Sequence, residues 1–443
     1  MSIIRNELRN KKDLLKKIDE KVSNEQIVPT QKEKKTLQDI IRSISSQFSK
    51  ELTDPNIDKE VLNEKIRKAI EKEISQMDVE YEKRKRIEKL AIDNIIGLGP
   101  LQQYLDNPHI TEIIVQRYDN ICVEQGGKVY SVPAVFSDED NLRNVINRIL
   151  QPVGREVNRS TPIVDAHLSD GSRVCATIPP VSPKGSTLTI RKFNNQMMTA
   201  AKYIELQSLS QQMLLFLKLC VLGKVSIYVS GGTGTGKTTF LNMLSAFLPG
   251  DELIVTIEDT LELQLKQKNV RSLETRPITG GTMESIDMSA LVKASLRMRP
   301  SRIIVGETRD GAVVSLLSAM STGHEGSMST GHANSPRNLV DVRIPTMMEM
   351  DKTTSFSERA QALMIAEAIQ LIVQLRRLPD GRRVVSQICE VSGIGKDGKV
   401  VLNDIYRYDF TTDEFQYTGN FPQKIADHIA YFGYELDEDF FTK

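Results

Sequence analysis

The ten residues GGTGTGKTTF, Gly231 to Phe240, restrict this chain more than any other stretch of it. An apolar run, VSIYVS, precedes them and a helical pattern, TTFLNMLSAFL, follows from their last residues. A strand, a glycine loop and a helix opened by Lys237 and Thr238 satisfy G-x-x-x-x-G-K-[ST] in the context that gives this pattern its meaning. The backbone N–H groups of Gly231, Gly232, Thr233, Gly234, Thr235 and Gly236 can turn inward on phosphate. Lys237 then reaches the β and γ oxygens, and Thr238, followed by Thr239 in the same binding turn, offers a hydroxyl to Mg²⁺. The bland alternative is a glycine-rich turn before a helix; the full pattern in this setting favours a nucleotide site.

From Gly223 onward apolar strands alternate with helices: VSIYVS, the loop and its helix, LIVTIED, the SALVKASLRM helix, then RIIVGE. That order predicts an α/β fold with a mostly parallel sheet covered on both faces. Chemistry in such sheets gathers at the carboxyl ends of the strands. Two strands here end in acid, LIVTI at Glu258-Asp259 and RIIVG at Glu307, the way a P-loop protein presents a metal ligand or a base for water. A single carboxylate there would read as a helix cap; two, downstream of a P-loop, read as function. The stretch STGHEGSMSTGHANS carries His324 and His332 without the further ligands a zinc site needs, so these histidines read as sensors of phosphate. A helix, AQALMIAEAI, and a β meander with a tight Asp380-Gly381 turn complete this part.

At 443 residues the chain exceeds one core of about 150 residues per domain. Three parts are expected: a helical region over 1–90, a small α+β domain over 95–200 and the nucleotide domain over 205–443. The first is dense in Lys and Glu with apolar residues at helical spacing, Ile57, Val61, Leu62 and Ile66. An NKxD match at Asn10 to Asp13 precedes the loop by more than two hundred residues and reads as chance. The second alternates short β-branched runs, ITEIIV, ICVEQGGKVY, PIVDAHLSDGSRVCATIPP and STLTIRKF, around a helix opened by Ser137.

Lys+Arg and Asp+Glu are equal at 58 each, so no global field draws the chain to nucleic acid or acidic lipid, and no direct nucleic-acid contact is expected. The four cysteines form no C-x-x-C pair, which fits a reducing compartment. The N-terminus lacks a signal-peptide run, and no stretch approaches the roughly 20 apolar residues of a membrane span. A cytoplasmic protein is expected, peripheral to a membrane only through partners.

Four boxes, in order, resemble the secretion and type IV pilus ATPases, and within them the Tad/Flp pilus-assembly (CpaF-like) branch. They are the loop GGTGTGKT, the acidic box TIEDTLEL, the segment SLRMRPSRIIVGETRD and the histidine box STGHEGSMSTGHANS. The resemblance implies a homo-hexameric motor that hydrolyses ATP with Mg²⁺ and docks on an inner-membrane platform protein. Each subunit would pair a PAS-like α+β domain with a RecA-like domain, binding ATP between them. It places phosphate and metal on Lys237, Thr238 and Glu307, and water or metal on Glu258 or Glu262. Clamping charge falls to Arg173, Arg191 and Arg309. Three residues depart from the family's pattern: Ser301 where Asp is usual, Ala312 where the Tad branch carries Glu, and Gly331 in place of a β-branched residue. Pilus assembly, secretion and conjugation-like apparatus stay open, with a nucleic-acid motor and a non-hydrolysing scaffold as alternatives of other classes.

Overall fold

The computed structural model describes residues 31–48, 51, 59–77, 81–168, 170–193, 198–276, 285–351 and 353–442. The Asn10 to Asp13 match and Ile57 lie outside them. The chain divides into two compact units, one ending at Asn194 and one starting at Asn195.

The first unit opens with helices α1 (Gln31–Gln47), α2 (Lys59–Ser75) and α3 (Tyr81–Ile95). Apolar residues three and four apart make one stripe on each: Leu37, Ile40 and Ile44, then Leu62, Ile66, Ile70 and Ile74, then Ile87, Ala91 and Ile95. These stripes close on one another as a small core. Val61 is not part of it; one position off the stripe, it is 49% exposed.

Six strands follow: β1 (Ile110–Arg117), β2 (Asn120–Gln125), β3 (Lys128–Val132), β4 (Ile163–His167), β5 (Arg173–Thr177) and β6 (Thr187–Arg191). They form an antiparallel sheet in the order β3-β2-β1-β6-β5-β4. Alternation sends Ile113, Val115, Val174, Ala176, Leu188 and Ile190 to one face, where Leu142, Val145, Ile146 and Ile149 of α4 (Glu139–Leu150) share their core. The cap of α4 is Asp138, whose side chain accepts from the Asn141 N–H at 2.8 Å. Ser137, the expected cap, instead donates its hydroxyl to the Asp138 carboxylate. A charged acceptor beside the helix dipole outcompetes the neighbouring hydroxyl.

The second unit is built on nine strands: β7 (Ile227–Gly231), β8 (Ile254–Glu258), β9 (Val270–Glu274), β10 (Arg302–Val305), β11 (Met328–His332), β12 (Leu371–Arg377), β13 (Arg383–Ile394), β14 (Val400–Asp409) and β15 (Glu414–Tyr417). Their order is β15-β14-β13-β12-β7-β11-β10-β8-β9. From β12 through β9 every pairing is parallel, and from β12 to β15 every pairing is antiparallel. The C-terminal meander thus extends the nucleotide sheet itself.

Both faces are covered, which explains the unbroken apolar strands. Val229, Ile254, Ile304 and Val373 pack with α5 (Gln211–Leu222), α6 (Lys237–Ser245) and α10 (Gln423–Tyr431). Tyr228, Val255, Ile257 and Ile303 pack with α7 (Met288–Ser295), α8 (Ala312–Ser321) and α9 (Glu358–Ala368). Neighbouring strands β7, β11, β10 and β8 bring Gly231, His332, Glu307 and Glu258 to one carboxyl edge.

Candidate functional site

Gly231 ends β7 with no room for a side chain: a Cβ there would stand 2.9 Å from the Leu375 carbonyl oxygen and 2.6 Å from the Thr235 hydroxyl. Gly234 and Gly236 adopt φ of 71° and 88°, which L side chains rarely tolerate. The loop so formed curls over the N-terminus of α6, where the first-turn N–H groups lack helical acceptors. Thr235 closes the curl by donating its hydroxyl to the Gly232 carbonyl at 2.9 Å.

Lys237, the first residue of α6, is only 8% exposed. Its Nζ donates to the Gly232 carbonyl at 3.2 Å and lies 3.4 Å from each ring nitrogen of His332. Burial lowers the lysine from its ordinary value, against the opposing pull of Glu307. His332 is likewise lowered, by burial first and then by the Lys237 charge. Thr238 and Thr239 follow in the same first turn.

Glu307 lies two residues past β10. Its Oε2 accepts from Arg309 at 2.6 Å, and Arg309 also stands 4.0 Å from Asp259. Nε2 of His332 is 2.7 Å from Oε1 of Glu307 but out of line for a hydrogen bond, so this buried oxygen has no hydrogen-bond partner among the described residues. The backbone on either side is fixed. The Gly306 carbonyl accepts from the Thr330 hydroxyl at 2.7 Å, and the Thr308 N–H donates to the Thr330 carbonyl at 2.9 Å.

The two glutamates of the acidic box differ in surroundings. Glu258, 3% exposed, accepts the N–H groups of Glu262 and Leu263 on Oε1, both at 2.9 Å. Its Oε2 is buried with no hydrogen-bond partner among the described residues, and burial pushes the carboxyl up to about 7. Gly306 leaves space for it, since a Cβ there would meet Glu258 Cγ at 2.9 Å. Glu262 is half-buried.

His332 closes β11 at the loop edge, whereas His324 precedes β11 at the sheet's opposite edge. There the His324 carbonyl accepts from Ser327 and its Nδ1 is buried without a hydrogen-bond partner among the described residues. Arg173 and Arg191 belong to the first unit. They face each other across β5 and β6, on the side of the sheet away from α4, and Glu112 of β1 stands opposite Arg191.

The departures from the family pattern have local reasons. The Ser301 hydroxyl accepts from the Leu253 N–H at 3.2 Å and anchors the start of β10. Ala312 is buried at the first position of α8. At Gly331 any Cβ would collide with the Tyr228 hydroxyl, which is hydrogen-bonded to Thr308. Tyr228 and Gly331 are a matched pair whose relation depends on two strands meeting, so neither residue announces it alone. Sequence reasoning also misses Arg383, whose Nε donates to the Gly234 carbonyl at 2.9 Å from a strand 149 residues further on. The doublet Arg382-Arg383, at the end of the turn before β13, is its only signal.

A phosphate loop at the carboxyl edge of a parallel sheet, flanked by two acidic strand ends and a histidine from the strand between, defines a P-loop ATPase. More narrowly, the chain belongs to the type II/IV secretion system protein family, whose model matches residues 94–406. It is similar to the uncharacterized protein MJ0781 of Methanocaldococcus jannaschii, 39% identical over 244 residues, which are 53% of this chain and 34% of that protein. The chain thus spans about a third of that relative's length. It is 31% identical over 289 residues to the conjugal transfer protein TrbB of Rhizobium radiobacter, covering 63% of this chain and 83% of TrbB. Among solved structures, the VirB11 ATPase of the Brucella suis type IV secretion system aligns at 25% identity with a TM-score of 0.36, over 66% of this chain and 92% of that one. No helix among the described residues is long and apolar enough to cross a membrane.

Proposed function

We propose that this protein is a cytoplasmic motor ATPase. It forms a homo-hexamer and hydrolyses ATP to drive Tad/Flp-type pilus assembly or secretion through an inner-membrane platform protein. The observation that carries the reading is the meeting of Lys237, His332 and Glu307 within 3.4 Å at the mouth of the phosphate loop. The organisation is a helical region over 1–90, a PAS-like domain over 95–200 and a RecA-like domain over 205–443. Similarity to TrbB, a conjugal transfer protein, favours a second reading, the ATPase of a conjugation or type IV secretion apparatus. Identification of the integral protein co-purified from membranes separates the two.

In this reading the loop N–H groups and Lys237 hold the phosphates. Oxygen donors suit Mg²⁺, and the Thr238 hydroxyl with Oε1 of Glu307, which accepts no hydrogen bond among the described residues, would hold it; bound there, the ion would neutralise charge on the phosphates. Glu258, rather than Glu262, takes the proton of the attacking water. Its free buried oxygen and a carboxyl titrating at about 7 suit a base that works near neutral pH. His332, touching both Lys237 and Glu307, senses the γ-phosphate, and His324 relays that state from the other end of β11. Arg173, Arg191 and Arg309 supply charge to the transferring group, as the family resemblance implies.

The first test is Glu307→Gln. ATP binding is expected to persist while phosphate release falls by about 10²-fold or more. Release at the parent rate would overturn the assignment. Stimulation of hydrolysis by DNA, lost at high salt, would instead favour a nucleic-acid motor.

A further inference from the structure

The two arginines between β12 and β13, Arg382 in the turn and Arg383 at the start of β13, do different work. Arg382 braces the hairpin. Its guanidinium donates to Asp380 at 2.7 Å and to both oxygens of Asp413 at 2.9 Å, and its carbonyl accepts from Leu378 at 2.8 Å. Strand alternation turns the next side chain away from these carboxylates. Arg383 reaches the phosphate loop, where Nε donates to the Gly234 carbonyl at 2.9 Å and Cδ lies 3.4 Å from the place of a Cβ on Gly236. Gly234 and Gly236 are the two loop glycines with positive φ, so Arg383 touches the loop at both of its unusual backbone positions.

We infer that Arg383 is a positioning residue of the nucleotide site, acting through Gly234. A loop that turns its N–H groups inward on an anion presents carbonyls outward, and a carbonyl held from outside keeps the peptide from rotating. A charged donor makes such a bond stronger than a neutral one. Among the described residues Arg383 forms no ion pair with a carboxylate, so its charge is not neutralised beside a loop that receives polyphosphate. The hairpin is a firm base for this contact, since Ser230 of β7 bonds Gln374 of β12, and a Cβ on Gly231 would meet the Leu375 carbonyl. The meander therefore belongs to the nucleotide site as well as to the sheet.

The inference rests on the loop being the nucleotide site, and the test keeps the two apart. ATP and ADP affinity, KM and kcat are measured on the full-length protein for Arg383→Ala, Arg383→Lys, Arg382→Ala and Lys237→Ala. Arg383→Ala is expected to weaken nucleotide binding and raise KM about tenfold, the worth of a hydrogen bond to a charged group. Its kcat at saturating ATP stays within about twofold of the parent, the signature of lost binding rather than lost chemistry. Arg383→Lys, which keeps charge and donor, recovers part of the affinity, and Arg382→Ala leaves it unchanged. Should Arg383→Ala bind ATP like the parent while Lys237→Ala does not, the inference falls and the nucleotide site stands. Should Lys237→Ala bind ATP normally, the site reading itself falls. If Arg383→Ala does not fold, Arg383→Lys decides: lowered affinity and raised KM with kcat within about twofold of the parent support the inference, and parent affinity and KM overturn it.

Discussion

Glu258 carries opposing demands on one side chain. Its carboxyl is buried and titrates at about 7, where an unfolded glutamate titrates at 4.5. The folded state therefore holds a proton that the unfolded chain gives up first as pH rises. Below the unfolded value both states are protonated and the group contributes nothing. Between 4.5 and about 7 folding grows steadily less favourable, and above about 7 the full penalty applies, of order 3 kcal/mol by linkage. Glutamine at this position keeps an acceptor for the Glu262 and Leu263 N–H groups and cannot ionise. In urea unfolding at pH 4 and pH 8, the stability of Glu258→Gln relative to the parent is expected to improve by about 3 kcal/mol from the lower to the higher pH. The same variant is expected to lose about 10²-fold or more in turnover. An equal difference at both pH values would mean that Glu258 ionises normally in the fold.

At the scale of elements, β7 and β11 lie side by side in parallel register, with Gly331 opposite Ser230 and Ser329 opposite Tyr228. Tyr228 spans the diagonal, and its hydroxyl reaches Thr308, next to Glu307. Gly331→Val drives two methyl groups into that ring, at an overpacking cost of about 1–3 kcal/mol. Tyr228→Leu in the same chain relieves it, so thermal unfolding is expected to show the double variant more stable than Gly331→Val alone. Additive losses would show that the two residues are independent. This pair marks where the sequence stops being readable. The loop, its strand and helix, and the acid-ended strands are legible because each is a local pattern of period and turn chemistry. The α1–α3 stripes are legible for the same reason, except at Val61, where adjacent apolar residues leave the phase open by one position. β9, with the pattern VRSLE, escapes detection because only its pairing with β8 makes it a strand. Arg383 gains its meaning from a loop 149 residues earlier, and no local window of the chain contains both partners.

The described residues form units with separate cores, one among α1–α3, one under the sheet that carries Arg173 and Arg191, and others on the two faces of the sheet that carries Lys237. A protein divided in this way can do mechanical work only if what happens at the phosphate loop is felt by groups on a different core. In a ring of such chains one subunit's hydrolysis would also be felt by its neighbours. That coupling can be measured without knowing the cargo. Oligomers are assembled from parent and Glu307→Gln chains at several mixing ratios and assayed for phosphate release without selecting for mixed rings. Independent subunits lose activity in proportion to the fraction of variant chains. A fully coupled ring of six at equal mixing would retain only about one-sixtieth of its activity, because one silent subunit arrests the rest. A curve well below proportionality is expected. A straight line would mean that each chain hydrolyses alone, and that the P-loop here serves a monomeric or scaffolding ATPase rather than a motor.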